Sequence, residues 1–234
     1  MSSAAAVIGS TGLVGHQILA TLLNLDACKS VYTISRRAPK TEASPKLNAT
    51  IEPDTTKWAS QFAALSPLPS VTYSSLGTTR AQAGGIQNQW KIDHDLNVEL
   101  AKAAREAGVE TFVFISSTGV RGFLSSRVPY SKMKVGVEDT IKSLDFPQAI
   151  ILRPGLLVGQ REIPHTGGAL MESLYHGVGS ILGQGAQDRL GQDGLTVGRA
   201  AVKAAQLAAE GKAPSKYWVL EQSDIVKLGR DEWK

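Results

Sequence analysis

Tyr130 and Lys134 set a phenol and an ammonium four residues apart in the run Tyr130-Ser131-Lys132-Met133-Lys134, and Ser117 lies thirteen residues earlier, at the end of an apolar stretch. On a helix that spacing puts both side chains on one face, about 5 to 6 Å apart at Cβ. A phenol titrates near 10, too high for ready proton exchange at neutral pH, and a neighbouring ammonium favours its ionised form. Lowering it by about three units takes about 4 kcal/mol of differential stabilisation. Lys134 is the expected source of much of it. Such a pair suits proton delivery to an oxygen that gains charge, as when hydride adds to a carbonyl. Ser117 would hydrogen-bond that oxygen and orient it toward Tyr130. Ser116 is the rival, because strand alternation sends adjacent side chains in opposite directions.

Hydride chemistry needs a carrier, and the amino terminus has the pattern of a site for one. A short apolar strand from Ala4 runs directly into Gly9-Ser10-Thr11-Gly12-Leu13-Val14-Gly15 and then into an apolar helix. Gly9 permits the tight turn, Gly12 lets the backbone approach a pyrophosphate, and Gly15 allows close packing of helix on strand. The second strand ends in Ser35-Arg36-Arg37. An acidic residue there would bind the 2′-hydroxyl of NAD, whereas two guanidinium groups and a hydroxyl suit a 2′-phosphate, so Arg36 and Arg37 predict NADP(H). Leu76-Gly77-Thr78-Thr79, at another strand end, is expected to pass beside the nicotinamide ribose.

These residues must be carried by elements in a fixed order, and the chain has the required rhythm. Apolar strand-like runs alternate with helical patterns through Ala4 to Gly9, Leu13 to Leu25, Ser30 to Ser35, Val71 to Gly77, Trp90 to Gly108, Thr111 to Ser116, Tyr130 to Leu144 and Gln148 to Leu152. That alternation predicts an α/β fold with a doubly wound parallel sheet of the Rossmann type. The helix from Trp90 to Gly108 should bury Ile92, Leu96, Leu100, Ala103 and Ala104 on one face. Pro39 to Pro69 is rich in Pro, Ser and Thr, with a strand at Asn48 to Ile51 and a short helix near Trp58. Residues 1–155 form the nucleotide-binding core, and 156–234 a small C-terminal substrate cap completing the same domain. The cap reading rests on the glycine-rich stretch from Gly167 to Gly198 around Leu170, Met171, Leu174, Tyr175, Val178, Ile181 and Leu182. An amphipathic helix closing the core fits that patch equally well.

Composition narrows the class further. A chain of 234 residues with 42% hydrophobic content can bury a full core. The net charge of +4 is dispersed and not interleaved with aromatics, so nucleic acid is not an expected partner. A lone Cys28 forms no disulfide framework and favours a reducing, cytoplasmic setting. The first strand starts within four residues of Met1, which leaves no room for a cleaved leader, and no apolar run reaches the ~18 to 20 residues that span a bilayer. His16, His94, His165 and His176 share no ligand spacing, so no metal is expected.

With its Gly-x-x-Gly-x-x-Gly, Ser-Ser strand end, Tyr-x-x-x-Lys and Arg153-Pro154-Gly155 in order, the chain resembles the atypical short-chain dehydrogenase/reductases. Leu76 to Arg80, Lys91 to Asp95 and Tyr217 to Leu228 resemble more narrowly the branch holding a human Tat-interacting oxidoreductase and its fungal mitochondrial outer-membrane relatives. The resemblance implies that Gly9, Thr11, Gly12, Leu13, Val14 and Gly15 hold the pyrophosphate and that Arg36 and Arg37 hold the 2′-phosphate. It also implies that Tyr130, Lys134 and Pro154 contact the cofactor, and that the chain touches the mitochondrial outer membrane peripherally. Asp93 falls where many members carry an asparagine in a proton relay, and Asp93 and Asp95 also read as solvated helix residues. Arg161 and His165, in the loop after Arg153-Pro154-Gly155, are candidates to reach substrate, and an ordinary loop role is expected at least equally. The leading expectation is an NADPH-dependent reductase of a small to medium apolar carbonyl compound, or the reverse alcohol dehydrogenase. A dinucleotide-binding adaptor with little turnover is the alternative. A sugar-nucleotide epimerase or dehydratase is less expected, since only about 80 residues follow Arg153-Pro154-Gly155.

Overall fold

The computed structural model describes residues 4–123, 125–158, 188 and 191–233. Strands β1 (Ala4–Ile8), β2 (Ser30–Ser35), β3 (Leu47–Ile51), β4 (Val71–Ser74), β5 (Thr111–Ile115), β6 (Gln148–Leu152) and β9 (Tyr217–Leu220) form one parallel sheet in the order β3-β2-β1-β4-β5-β6-β9. Two short strands, β7 (Leu156–Val158) and β8 (Gly191–Asp193), pair separately. The chain therefore builds outward from β1 in one direction and then in the other, which is the doubly wound Rossmann arrangement. Its strand order reverses between β1 and β4, where such folds bind ligands at the carboxyl edge.

The inner strands are predominantly apolar because both faces are covered. Ala4, Ala6 and Ile8 of β1 join Tyr32, Ile34, Phe112 and Phe114 on one face. Helices α2 (Trp58–Ala63), α5 (Leu96–Ala107) and α6 (Pro129–Ser143) cover that side. Ala5 and Val7 join Val31, Tyr73, Val113 and Ile150 on the other, beneath α1 (Leu13–Leu23) and α7 (Gly194–Ala209). The polar alternation of β3, whose Asn48 is exposed, marks it as an edge strand.

Two regions differ from the pattern in the sequence. The helix expected from Trp90 to Gly108 is present but not uniform: after α3 (Arg80–Ala83), α4 (Ile86–Trp90) continues through a π turn at Lys91–Asp95 into α5. The wider turn re-phases the helix, so that Leu96, Leu100, Ala101 and Ala104 are buried, while Ile92 and Ala103 are only half-buried. Asn97 holds the turn open, its Nδ2 donating to the carbonyls of Ile92 and Asp93 at 3.1 and 3.2 Å. The second region is the chain's last part. Within 156–234, α7 lies along α1 and β9 extends the main sheet beside β6, followed by α8 (Gln222–Val226). These elements belong to the core layers. The apolar patch from Leu170 to Leu182, together with Arg161, His165 and His176, lies outside the described residues.

Candidate active site

The glycine-rich loop leaves β1 at the switch point. Gly9 has φ +86°, and a Cβ there would sit 2.8 Å from the Ser75 carbonyl carbon. A Cβ on Gly15 would come within 2.1 Å of Gly9 O, so α1 packs on the loop only because position 15 has none. Ser75 Oγ stitches the loop to β4 by donating to Ile8 O at 3.1 Å. The first intrahelical bond runs from His16 N to Gly12 O at 2.9 Å, and Gly12 has no side chain to cap the turn. The N–H groups of Leu13, Val14 and Gly15 therefore precede the helical ladder at its positive end, the arrangement that binds a phosphate. Val14 faces the core, so only its backbone is available. Thr11 is half-buried and Gly12 exposed. Ser10, which the sequence reading passed over, carries a buried hydroxyl with no hydrogen-bond partner among the described residues. An orphaned donor and a bare helix start fit a pyrophosphate.

Two groups close on the loop after β4 from opposite sides. Lys134 is buried on α6, and its Nζ donates to Ile115 O at 3.0 Å and to Leu76 O at 3.4 Å while lying 4.7 Å over the Phe114 ring. Asp93, presented by the π turn, is fully buried and accepts from Thr78 N at 2.7 Å and Gln89 Nε2 at 3.3 Å. The expectation of a solvated Asp93 is thus overturned, because the π turn rotates it inward; Asp95 is exposed and meets His94 Nδ1 at 2.8 Å. Burial pushes the Asp93 carboxyl up and the Lys134 ammonium down, and each is pulled back by the charge of the other. Tyr130, one turn before Lys134, is 36% exposed at the edge of the site. Gly77 is exposed, and a Cβ there would lie 3.9 Å from Lys134 Nζ. Thr79 Oγ1 caps α3 by accepting from Gln82 N at 3.2 Å, so its hydroxyl is engaged with the chain itself.

The adjacent serines separate cleanly. Ser116 is buried and donates to Glu138 Oε1 at 2.6 Å, whereas Ser117 is half-buried with its Oγ 3.5 Å from Thr118 O. Glu138, fully buried one turn after Lys134, also meets Arg153 Nη2 at 2.7 Å and Arg121 Nε at 2.8 Å. Burial would raise its carboxyl, but hydrogen bonds from Arg153, Ser116 and Arg121 outweigh that and hold it below the ordinary value. Pro154 is buried beyond β6, its carbonyl accepting from Thr118 N at 2.8 Å. Arg36 and Arg37 are exposed at the end of β2. Ser35 is corrected as a phosphate donor: its hydroxyl is buried and donates to Arg37 O at 2.7 Å.

Gln89, Asn97, Glu138 and Arg121 were not among the expected site residues, and Asp93 was placed only by resemblance. A signal existed for most of them. Gln89, Asp93 and Asn97 repeat every four residues, as do Tyr130, Lys134 and Glu138, which puts each set in one stripe along its helix.

A Rossmann sheet with a glycine-rich first turn and a Tyr-x-x-x-Lys helix at its carboxyl edge defines the class. The family model described as the NAD dependent epimerase/dehydratase family matches residues 5–217, and the chain belongs to that family. It is 62% identical over 228 residues to the protein named FMP52, mitochondrial, of Chaetomium globosum, covering 97% of each chain. It is 65% identical over 230 residues to fmp52-2, mitochondrial, of Aspergillus oryzae, covering 98% of each. The reductase-family resemblance and the fungal mitochondrial relatives expected from the motifs are both met. Among solved structures it is similar to MoeE5 in complex with UDP-glucose and NAD, with TM-score 0.67 and 18% identity over 97% of this chain and 81% of that one. A UDP-galactose 4-epimerase gives TM-score 0.66 and 15% identity over 93% of this chain and 76% of the other. Likeness at that identity shows the fold, and the reaction depends on the site's own residues. Among the described residues no helix is long and apolar enough to cross a membrane.

Proposed function

We propose that this chain is an NADPH-dependent oxidoreductase that reduces a carbonyl group of a small to medium apolar substrate, or oxidises the corresponding alcohol. The observation that carries the reading is the buried Lys134 ammonium, anchored on Ile115 O and Leu76 O one helical turn from a half-exposed phenol. A pure binder has no need of a tuned phenol, though Tyr130 and Lys134 would also serve a binder by holding the cofactor ribose. The bound reduced nicotinamide would supply the hydride. The pyrophosphate would rest on the N–H groups of Leu13 to Gly15 with Ser10 as an added donor, beside Gly9, Thr11 and Gly12. Leu76, Gly77, Thr78, Thr79 and Pro154 would line the nicotinamide end.

Lys134 lowers the cost of charge on Tyr130, and Tyr130 hands its proton to the substrate oxygen, which Ser117 orients by a hydrogen bond. Ser117 is preferred to Ser116, whose proton is already given to Glu138. Asp93 acts through Lys134. A buried ammonium drifts toward neutrality, and a carboxylate facing it keeps the charge that Tyr130 needs. Phe123 and Val128 are both exposed between β5 and α6 and would give an apolar rim to the entrance. Arg36 and Arg37 would select the 2′-phosphate. The mitochondrial names of the relatives support a mitochondrial place, with contact at the outer membrane peripheral.

The test is NADPH oxidation over a panel of aldehydes, ketones and quinones, with Tyr130→Phe and Arg36→Ala run alongside and cofactor binding measured for each. Turnover lost by about 10²-fold or more in Tyr130→Phe with binding retained supports the mechanism. NADPH affinity lost in Arg36→Ala with NADH affinity unchanged supports the cofactor choice. Tight NADPH binding with no turnover on any substrate would overturn the reductase reading in favour of the adaptor.

A further inference from the structure

At the edge of the sheet opposite the glycine-rich loop, between the carboxyl ends of α1 and α7, the structure holds a cavity of about 440 Å³. Val71 and Tyr73 of β4 form its floor, Leu22 and Cys28 one wall, and Ala205 and Ala208 of α7 the other. The cavity opens to solvent past Glu110, Pro147 and Ala209, which are exposed, while Val71, Tyr73 and Ala205 line its inner part. Here α7 turns two alanines toward the gap where larger residues would fill it.

Tyr73 makes this cavity more than a packing gap. The residue is 2% exposed and lines the cavity, yet its hydroxyl makes no hydrogen bond among the described residues. A tyrosine hydroxyl in so buried a residue ordinarily has a protein partner; among the described residues none is present, so solvent or a ligand in the cavity supplies it. Its neighbour Cys28 is already engaged, with Sγ donating to Ser30 O at 3.6 Å. Among the described residues the lining includes no basic side chain, and Glu110 stands among its polar residues, which disfavours an anionic ligand. Burial raises both the Cys28 thiol and the Tyr73 phenol, so each keeps its proton.

We propose that this cavity is a second ligand site, for a small neutral molecule with an apolar body and one hydrogen-bond-accepting oxygen, to which Tyr73 Oη donates. Its volume falls within the range of small-molecule pockets, roughly 300 to 1,000 Å³. Tyr73 precedes Leu76 by three residues, so the cavity lies about 10 Å along the strand direction from the loop at the active edge. The proposal does not depend on the reaction performed there.

The experiment follows the ¹³C-methyl resonances of Ala205, Ala208 and Val202 while 1-indanone, or indane as its hydrocarbon counterpart, is titrated into the full-length protein. Both probes are expected to shift these methyls saturably. Tyr73→Phe, which keeps the ring and removes only the hydroxyl, should weaken indanone about threefold to tenfold and leave indane unchanged. Ala208→Leu, on the half-buried wall, should weaken both. Shifts confined to residues near Tyr130, no saturable shift at millimolar probe, or equal indanone affinity in wild type and Tyr73→Phe would each overturn the proposal.

Discussion

Asp93 and Glu138 are both fully buried carboxylates over the same face of the sheet, and both sit close to Lys134, yet they do opposite work. Glu138 is saturated: two guanidinium groups and a serine hydroxyl surround it and tie α6 to the loops after β5 and β6. Asp93 has a backbone amide, a glutamine amide and the field of a single ammonium. A carboxylate met by several donors is held ionised and rigid. One balanced against a lone buried cation keeps that cation charged against the pull of burial, and the proposed reaction needs a charged Lys134. The difference separates a residue that holds the site together from one that sets its charge.

Breaking the saturated cluster should have the largest effect. Glu138→Gln leaves Arg153 and Arg121 without their buried counter-charge and should cost about 3 to 5 kcal/mol of stability by urea denaturation. Asp93→Asn keeps an acceptor for Thr78 N and removes only the charge. It should lower kcat/KM about 10- to 100-fold and move the alkaline limb of the activity profile to lower pH, since Lys134 then loses its proton more easily, with a smaller stability change than Glu138→Gln. The adjacent serines sharpen the contrast. Ser116→Ala should cost about 1 to 2 kcal/mol of stability with kcat nearly intact, and Ser117→Ala should reduce kcat with stability within about 0.5 kcal/mol of wild type.

The smallest effect is in the acid dependence of folding. Glu138 titrates below its ordinary 4.5 when folded, so the stability it contributes is complete above that value and is lost as pH falls through the folded one. Asp93 titrates above its ordinary 3.8, so the folded state takes up the proton more readily and stability falls as pH rises from 3.8 to the folded value. Denaturation curves from about pH 3 to about pH 6 should therefore show a shallower acid loss for Glu138→Gln and a steeper one for Asp93→Asn. The same slope in both variants would mean that the two carboxylates share one environment.

Much of this was legible in the chain. The glycine-rich turn could be read because it is local: Gly9 with its positive φ and Gly15 against Gly9 O are constraints within seven residues. Tyr130 and Lys134 could be read because helical spacing alone puts them on one face. Ser35 was misread, since the turn of its hydroxyl toward Arg37 O is a detail of strand-end geometry. Asp93 was only half-read. Its position was noticed, but its burial follows from a π turn that no propensity marks and that Asn97 maintains from the next turn of helix.

The sequence by itself determined the alternation of strands and helices, the phosphate-binding turn and the phenol–ammonium pair, because each follows from periodicity or spacing along a single element. Only the tertiary structure decided which serine faces outward, which carboxylate is saturated and which is poised, and that Tyr73 lines a cavity with no partner for its hydroxyl among the described residues. Those outcomes depend on groups as far apart as Ser116, Glu138 and Arg153, or Thr78, Asp93 and Lys134. The sheet brings them within hydrogen-bond or electrostatic reach in an interior where an unpaired polar atom is costly.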